Sequence, residues 1–140
     1  MHNRKCIFCN QTLKTRHQIR FCSSKCQCDH QHNLFVDAWR NGLVDGMIGV
    51  STRVTSAHIR RYLIETHGEK CSQCEWNVRH SITGKVPLDV DHIDGNSENN
   101  NESNLRLLCP NCHSLTPYFR NLNKGHGRKW RMNKYRKEAN

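Results

Sequence analysis

The chain has 140 residues, 35% of them hydrophobic, with 22 Lys and Arg against 12 Asp and Glu and a formal net charge of +10. That length bounds it to one ordinary domain or two very small ones, and the thin apolar share excludes a large, purely hydrophobic core. The charge points to a polyanionic partner, nucleic acid before membrane, because no basic amphipathic helix with a Trp, Phe or Leu face stands out.

The opening MHNRKCIFCN lacks the apolar run and small-residue cleavage site of a secretory signal, and no segment reaches the length of a transmembrane helix. A cytoplasmic chain with reduced thiols is therefore expected, and its nine cysteines read as metal ligands rather than disulfides. Residues 1–28 form a short polar module. In it Cys6 and Cys9 stand two residues apart and Cys22 and Cys26 three, which fits tetrahedral zinc, with Cys28 left as a spare thiol. Residues 29–54 are expected as a helical linker. Leu34, Phe35, Ala38, Trp39 and Leu43 suit one face of a helix, and Gly42, Gly46 and Gly49 then interrupt it.

A third part spans 55–123. Thr55 or Ser56 caps a helix there, Ile59, Tyr62, Leu63 and Thr66 share a face, and Gly68 stops it. A turn-rich stretch around Gly84 and Pro87 leads to a short alternating segment, 88–93, and a polar loop. NLRLLCPNCHSLTPYF then reads as a strand entering a helix, with Pro110 at the first helical position. Cys71 and Cys74 pair with Cys109 and Cys112 as a second zinc set, clamping the end of the early helix onto the strand–helix unit. Neither set leaves an open coordination position, so both are structural. A zinc ion of this kind contributes on the order of 10 kcal/mol to folding, enough to stand in for a missing core. Residues 124–140 form a basic tail.

The stretch DVDHIDGN, residues 89–96, sets three carboxylates around one histidine in this basic chain. A solvated, Asn-rich surface loop is the plain explanation. A calcium loop is excluded, because the acids miss the alternating positions an EF-hand requires and Asp94 falls one place late. Hard-ion chemistry is the third reading: Asp91, joined by an imidazole from elsewhere, holds a magnesium-like ion and leaves most positions to water and phosphate. On an extended segment His92 turns to the opposite side, so one of the two faces the metal and the other the attacking water.

Asp91-His92, then Asn104, then His113, in the setting DVDHIDGN … NLRLLCPNCHSL, resembles the HNH (ββα-metal, His-Me finger) endonucleases. The Cys71/Cys74 and Cys109/Cys112 pairs match the zinc-bracketed branch of that family, and the resemblance covers 55–123. With the amino-terminal knot and basic end, the chain is similar to small zinc-containing HNH endonucleases of bacteriophages. The resemblance implies a small α+β, zinc-stabilised ββα-metal domain preceded by a four-cysteine knot and helical linker. It assigns His92 as general base, Asp91 and His113 as ligands of a catalytic Mg²⁺, Mn²⁺ or other divalent ion, and Asn104 as the brace of the loop, through which the His92 ring keeps its orientation. It implies products with 5′-phosphate and 3′-hydroxyl ends. A helix starting near Pro110 would also offer free N–H groups to a phosphate. One departure is Pro117, which stands where many relatives carry a third histidine ligand and cannot ligate. Asp94 or Asn96 could fill that place, and Asp89 reads as structural.

Between Ser103 and Lys137 there is no acid, and Arg120, Lys124, Arg128, Lys129 and Arg131 are the expected DNA contacts, with a merely solvated tail as the alternative. Arg16, Arg20 and Lys25 on the first knot offer a second contact. His58 and His67 read as helix-surface residues, His30 and His32 as bystanders after the knot, and His126 as part of the tail. The expected activity is metal-dependent hydrolysis of DNA, one nick per site. The main rival is a zinc-dependent DNA-binding or architectural protein whose HNH fold is not catalytic, and a third reading is an accessory of phage packaging, partnered by a terminase complex within which alone the nuclease acts.

Overall fold

The computed structural model describes residues 4–49 and 54–123. Helix α1, Ser24–Arg40, starts where the Ser23 hydroxyl accepts from the Cys26 N–H, and it ends at Asn41. It therefore begins inside the first cysteine set. Its buried stripe is His32, Val36 and Trp39, with Phe35 packed beside them. The expected stripe was partly wrong: Leu34 and Leu43 are 57% and 78% exposed. Leu34 lies two positions from both His32 and Val36, which at about 100° per residue turns it away from their face. Leu43 lies beyond the helix end.

Strands β1, Met47–Ile48, and β2, Val54–Thr55, pair antiparallel with Met47 opposite Thr55. Helix α2, Ala57–His67, follows at once. The Ser56 hydroxyl accepts from the His58 N–H, and Gly68, at φ +87°, closes the helix. Ile59 and Leu63 are fully buried, whereas Thr66 is exposed.

α1 and α2 meet through histidines that the sequence suggested were bystanders. His32 is buried, its Nδ1 lies 3.1 Å from Nδ1 of His58, and its Nε2 lies 3.2 Å from a Glu65 oxygen. Phe35 packs against His58 with ring centroids 5.0 Å apart and the rings tilted by 33°. Arg61 bonds both Asp29 and Glu65, at 2.8 and 2.6 Å, tying the two helices across the rim. His58 is thus an inter-helix residue because its position on α2 faces α1 rather than water.

Strand β3, Asp89–His92, and strand β4, Leu105–Leu108, form an antiparallel ribbon in which Asp91 faces Arg106 and His92 faces Leu105. Helix α3, Pro110–Ser114, follows directly, with Pro110 in its first turn and the Cys109 sulfur capping Cys112 N–H. The β3–β4–α3 unit packs on α2. Leu105, Leu107 and Leu108 share one core with Ile59, Leu63, Val86, Leu88, Trp39 and three cysteines, Cys71, Cys109 and Cys112. The result is the small α+β architecture expected. No helix among the described residues is long and apolar enough to cross a membrane.

Candidate active site

Two residues from β3 and one from α3 converge on the outer side of the ribbon. His113 Nδ1 lies 3.2 Å from Asp89 Oδ2, and His113 Nε2 lies 3.9 Å from Asp91 Oδ1. A carboxylate on Nδ1 places the imidazole hydrogen there and leaves the Nε2 lone pair turned toward Asp91. Asp89 thereby fixes which His113 nitrogen carries the hydrogen. The other Asp91 oxygen accepts from Arg106 Nε at 2.7 Å, the cross-strand partner given by the register. Asp91 is 7% exposed and Phe119 packs edge-on against His113, with ring centroids 5.3 Å apart.

His92, the last residue of β3, is partly buried and contacts Asn100, its Nε2 lying 2.9 Å from Asn100 Oδ1. Asn104 holds the connecting loop. Its amide donates to Asp94 Oδ1 at 2.9 Å and to Asn99 O at 2.8 Å, while its oxygen accepts from the Asp94 N–H at 3.0 Å. Burial works against ionisation of Asp94, yet the donors from Asn99, the Asn96 N–H and Asn104 hold its carboxyl below the ordinary range. That carboxylate already serves as the hub of the loop. Asn96 turns its own side-chain oxygen to the Glu98 N–H at 3.0 Å.

Helix α3 is a single turn of five residues. Its Cys112 N–H is directed at Cys109 Sγ and its His113 N–H at the Cys109 carbonyl. The phosphate cradle expected at this helix start is thus too short to supply the free donors and dipole it would need.

A family model for the HNH endonucleases matches residues 71–116, a span holding Cys71, Cys74, Asp91, His92, Asn104, Cys109, Cys112 and His113. This chain carries an HNH endonuclease domain. The H-N-H endonuclease F-TflIV of Escherichia phage T5 is 45% identical over 56 residues, covering 40% of this chain and 24% of that protein. The chain thus spans about a quarter of the length of the curated relative it matches. No solved structure gives a significant match.

The HNH domain contains one of two tetrathiolate clusters. Cys71, Cys74, Cys109 and Cys112 bring their sulfurs within 4.8 Å of one another, and so do Cys6, Cys9, Cys22 and Cys26. Four Zn–S bonds of about 2.3 Å at tetrahedral angles put sulfurs ~3.8 Å apart. Cys74 and Cys109 are 3.8 Å apart, Cys9 and Cys22 3.5 Å, so both clusters fit zinc. Burial opposes ionisation of Cys6 and Cys71, but backbone N–H groups aimed at each sulfur bring both down to about 6. Cys22 is pushed up to about 12 by sharing hydrogens with Cys26 and Cys9, and Cys112 equally by Cys74. One thiol per site is thus poised to ionise, Cys6 in one and Cys71 in the other.

The two clusters are built alike. Cys6 N–H donates to Gln11 O and Cys71 N–H to Trp76 O, each five residues on, at 2.8 and 2.9 Å. The residue after each second cysteine, Asn10 or Glu75, adopts a left-handed φ of 60° or 61°. Each remaining pair straddles the start of a helix, α1 or α3. This repeat was visible in the sequence only as cysteine spacing.

Of the expected DNA contacts, Arg120 is described. Its guanidinium stacks over Phe119 at 4.9 Å, and Phe119 packs on His113, so a cation borders the HNH site. Lys124, Arg128, Lys129 and Arg131 lie outside the described residues. The sequence reading missed Asn100 and Arg106. Arg106 could have been found from strand register, but Asn100 had no distinguishing signal within NSENNNESN.

Proposed function

We propose that the chain is a metal-dependent endonuclease that hydrolyses phosphodiester bonds in double-stranded DNA, one nick per active site. The observation that carries this reading is the 3.9 Å separation of Asp91 Oδ1 and His113 Nε2, with His92 the next residue along the same strand. One carboxylate and one imidazole suit a loosely held Mg²⁺ or Mn²⁺, with most positions left to water and phosphate. Bound there, the divalent ion would neutralise the scissile phosphate and stabilise the leaving 3′ oxygen.

The chain's own residues supply the rest. Asp91 and His113 hold the cation, and Asp89 keeps the ligating nitrogen of His113 free of hydrogen. Neutral His92 takes the proton of the attacking water as the new P–O bond forms and the P–O3′ bond breaks. Asn104 holds the 94–99 loop in shape, and Arg120 with the basic 124–140 segment engages neighbouring phosphates. Zinc at the two tetrathiolate clusters stabilises the fold.

The Arg106–Asp91 ion pair favours a second reading. An Asp91 already neutralised at 2.7 Å would suit a DNA-binding or packaging accessory in which the fold does not cut. Nicking of supercoiled plasmid separates the two. Wild type with Mg²⁺ or Mn²⁺ is expected to convert it to open circle, and His92→Ala and Asp91→Ala to lose at least ~100-fold in rate. Undiminished nicking by both folded variants would end the mechanism assigned to His92 and Asp91, and no nicking by wild type would end the endonuclease reading.

A further inference from the structure

His92 meets Asn100, and the chemistry behind Asn100 determines what that contact means. The Asn100 Nδ2 group donates to the Asp45 carbonyl at 3.1 Å, and the Thr55 hydroxyl lies 3.2 Å from Asn100 Oδ1. A flipped amide would press its oxygen against the Asp45 carbonyl oxygen, acceptor on acceptor. The oxygen therefore faces His92. An acceptor 2.9 Å from Nε2 requires the hydrogen to be on Nε2, and neutral imidazole then carries its lone pair on Nδ1.

Asn100 is itself firmly placed. It is 4% exposed, and its carbonyl accepts from the Trp39 indole N–H at 2.8 Å. Gly46, at φ +77°, lets the chain pass close by: a Cβ there would lie 3.1 Å from both Asn100 Cβ and Trp39 Nε1, and 2.6 Å from Ile59 Cδ1. Trp39, Asp45, Gly46 and Thr55 all precede residue 71, where the HNH match begins.

We propose that Asn100 is the positioning residue of His92: it holds the hydrogen on Nε2 and so presents Nδ1 to the attacking water. The residues that seat Asn100, namely Trp39, Asp45, Gly46 and Thr55, are thereby part of the catalytic apparatus rather than a spacer. The inference rests on His92 acting as the base, but its tautomer half stands independently of that role.

Nitrogen-15 NMR of histidine-labelled, zinc-loaded full chain, without added Mg²⁺ and at alkaline pH, reads the tautomer in wild type. The expected pattern for His92 is a protonated Nε2 and an unprotonated Nδ1. A hydrogen on Nδ1, or an even mixture, overturns the proposal. The second arm is kinetic. Asn100→Ala is expected to lower kcat for plasmid nicking roughly 100-fold, the scale of a misplaced catalytic group, with KM for DNA little changed. Asn100→Asp keeps an oxygen for His92 but sets its second oxygen against the Asp45 carbonyl, so its melting temperature is read beside its kcat. It should retain the wild-type tautomer and recover most of the lost kcat. If Asn100→Asp is as poor as Asn100→Ala with zinc content and melting temperature intact, Asn100 acts only structurally and the proposal fails. Loss of nicking in His92→Ala alongside full activity in Asn100→Ala would also overturn it. Intact nicking in His92→Ala would instead remove His92 as the base, and with it the catalytic half of the proposal.

Discussion

Gly95 sits in the site loop at φ +73° with the Tyr118 ring where a side chain would go, a Cβ there falling 2.4 Å from Tyr118 Cγ. Gly95→Ala must move the ring and hold an L-residue in left-handed backbone, so it is expected to cost about 1–3 kcal/mol by urea unfolding. Asp-Gly-Asn is legible in sequence as a turn, but Tyr118 as the reason for its glycine is not, since the two are brought together only by the fold. The same boundary runs through the site. Asp91, His92, Asn104 and His113 could be picked out because their residue types and spacing carry a resemblance. Asn100 could not, because Asn96, Asn99, Asn100 and Asn101 are chemically interchangeable on paper. Strand register and the Trp39 contact select which of them meets the imidazole.

Among the elements, α1 and α2 hold each other through a contact that acid should loosen. Burial first, then nearby His32 and Arg61, keeps the His58 imidazole below its ordinary value of 6.5. As pH falls through that value the unfolded chain takes up its proton before the folded one does. The stability that goes with neutral His58 is therefore whole above about 6.5 and is lost below it. Melting temperature is expected to fall between about pH 7 and 5, and the fall to be shallower in His58→Gln. The cysteine clusters should also differ in weight. Cys71, Cys109 and Cys112 belong to the main core with Leu107 and Leu108, whereas Cys6 and Leu13 are buried apart from it. Wild type is expected to hold two zinc ions. Cys22→Ala should retain one ion and a cooperative melt, while Cys109→Ala should lose the melt as well as its zinc, as elemental analysis and calorimetry would show. A cooperative melt in Cys109→Ala would mean that the second cluster does not support the core.

At the scale of the whole molecule, charge is expected to govern the proposed encounter with DNA. The 124–140 segment adds seven Lys and Arg and one Glu to a chain already basic. A chain ending at Asn123 is expected to bind duplex DNA at least ~10-fold more weakly near 0.1 M salt, with a shallower dependence of log K on log salt, measured by fluorescence anisotropy. An unchanged slope would assign phosphate contact to the described surface alone. The sequence by itself determined the residue types and their spacing: two sets of four thiols, the Asp91-His92 pair among its acids, one Cys-Pro-Asn-Cys-His turn and an excess of positive charge. Those are local features, and short-range geometry is enough to interpret them. Only the tertiary structure decided which nitrogen of His113 faces Asp91, which asparagine holds His92, and that α1 supplies Trp39 to the seat beneath it. These are contacts between residues tens of positions apart, fixed by burying one shared core.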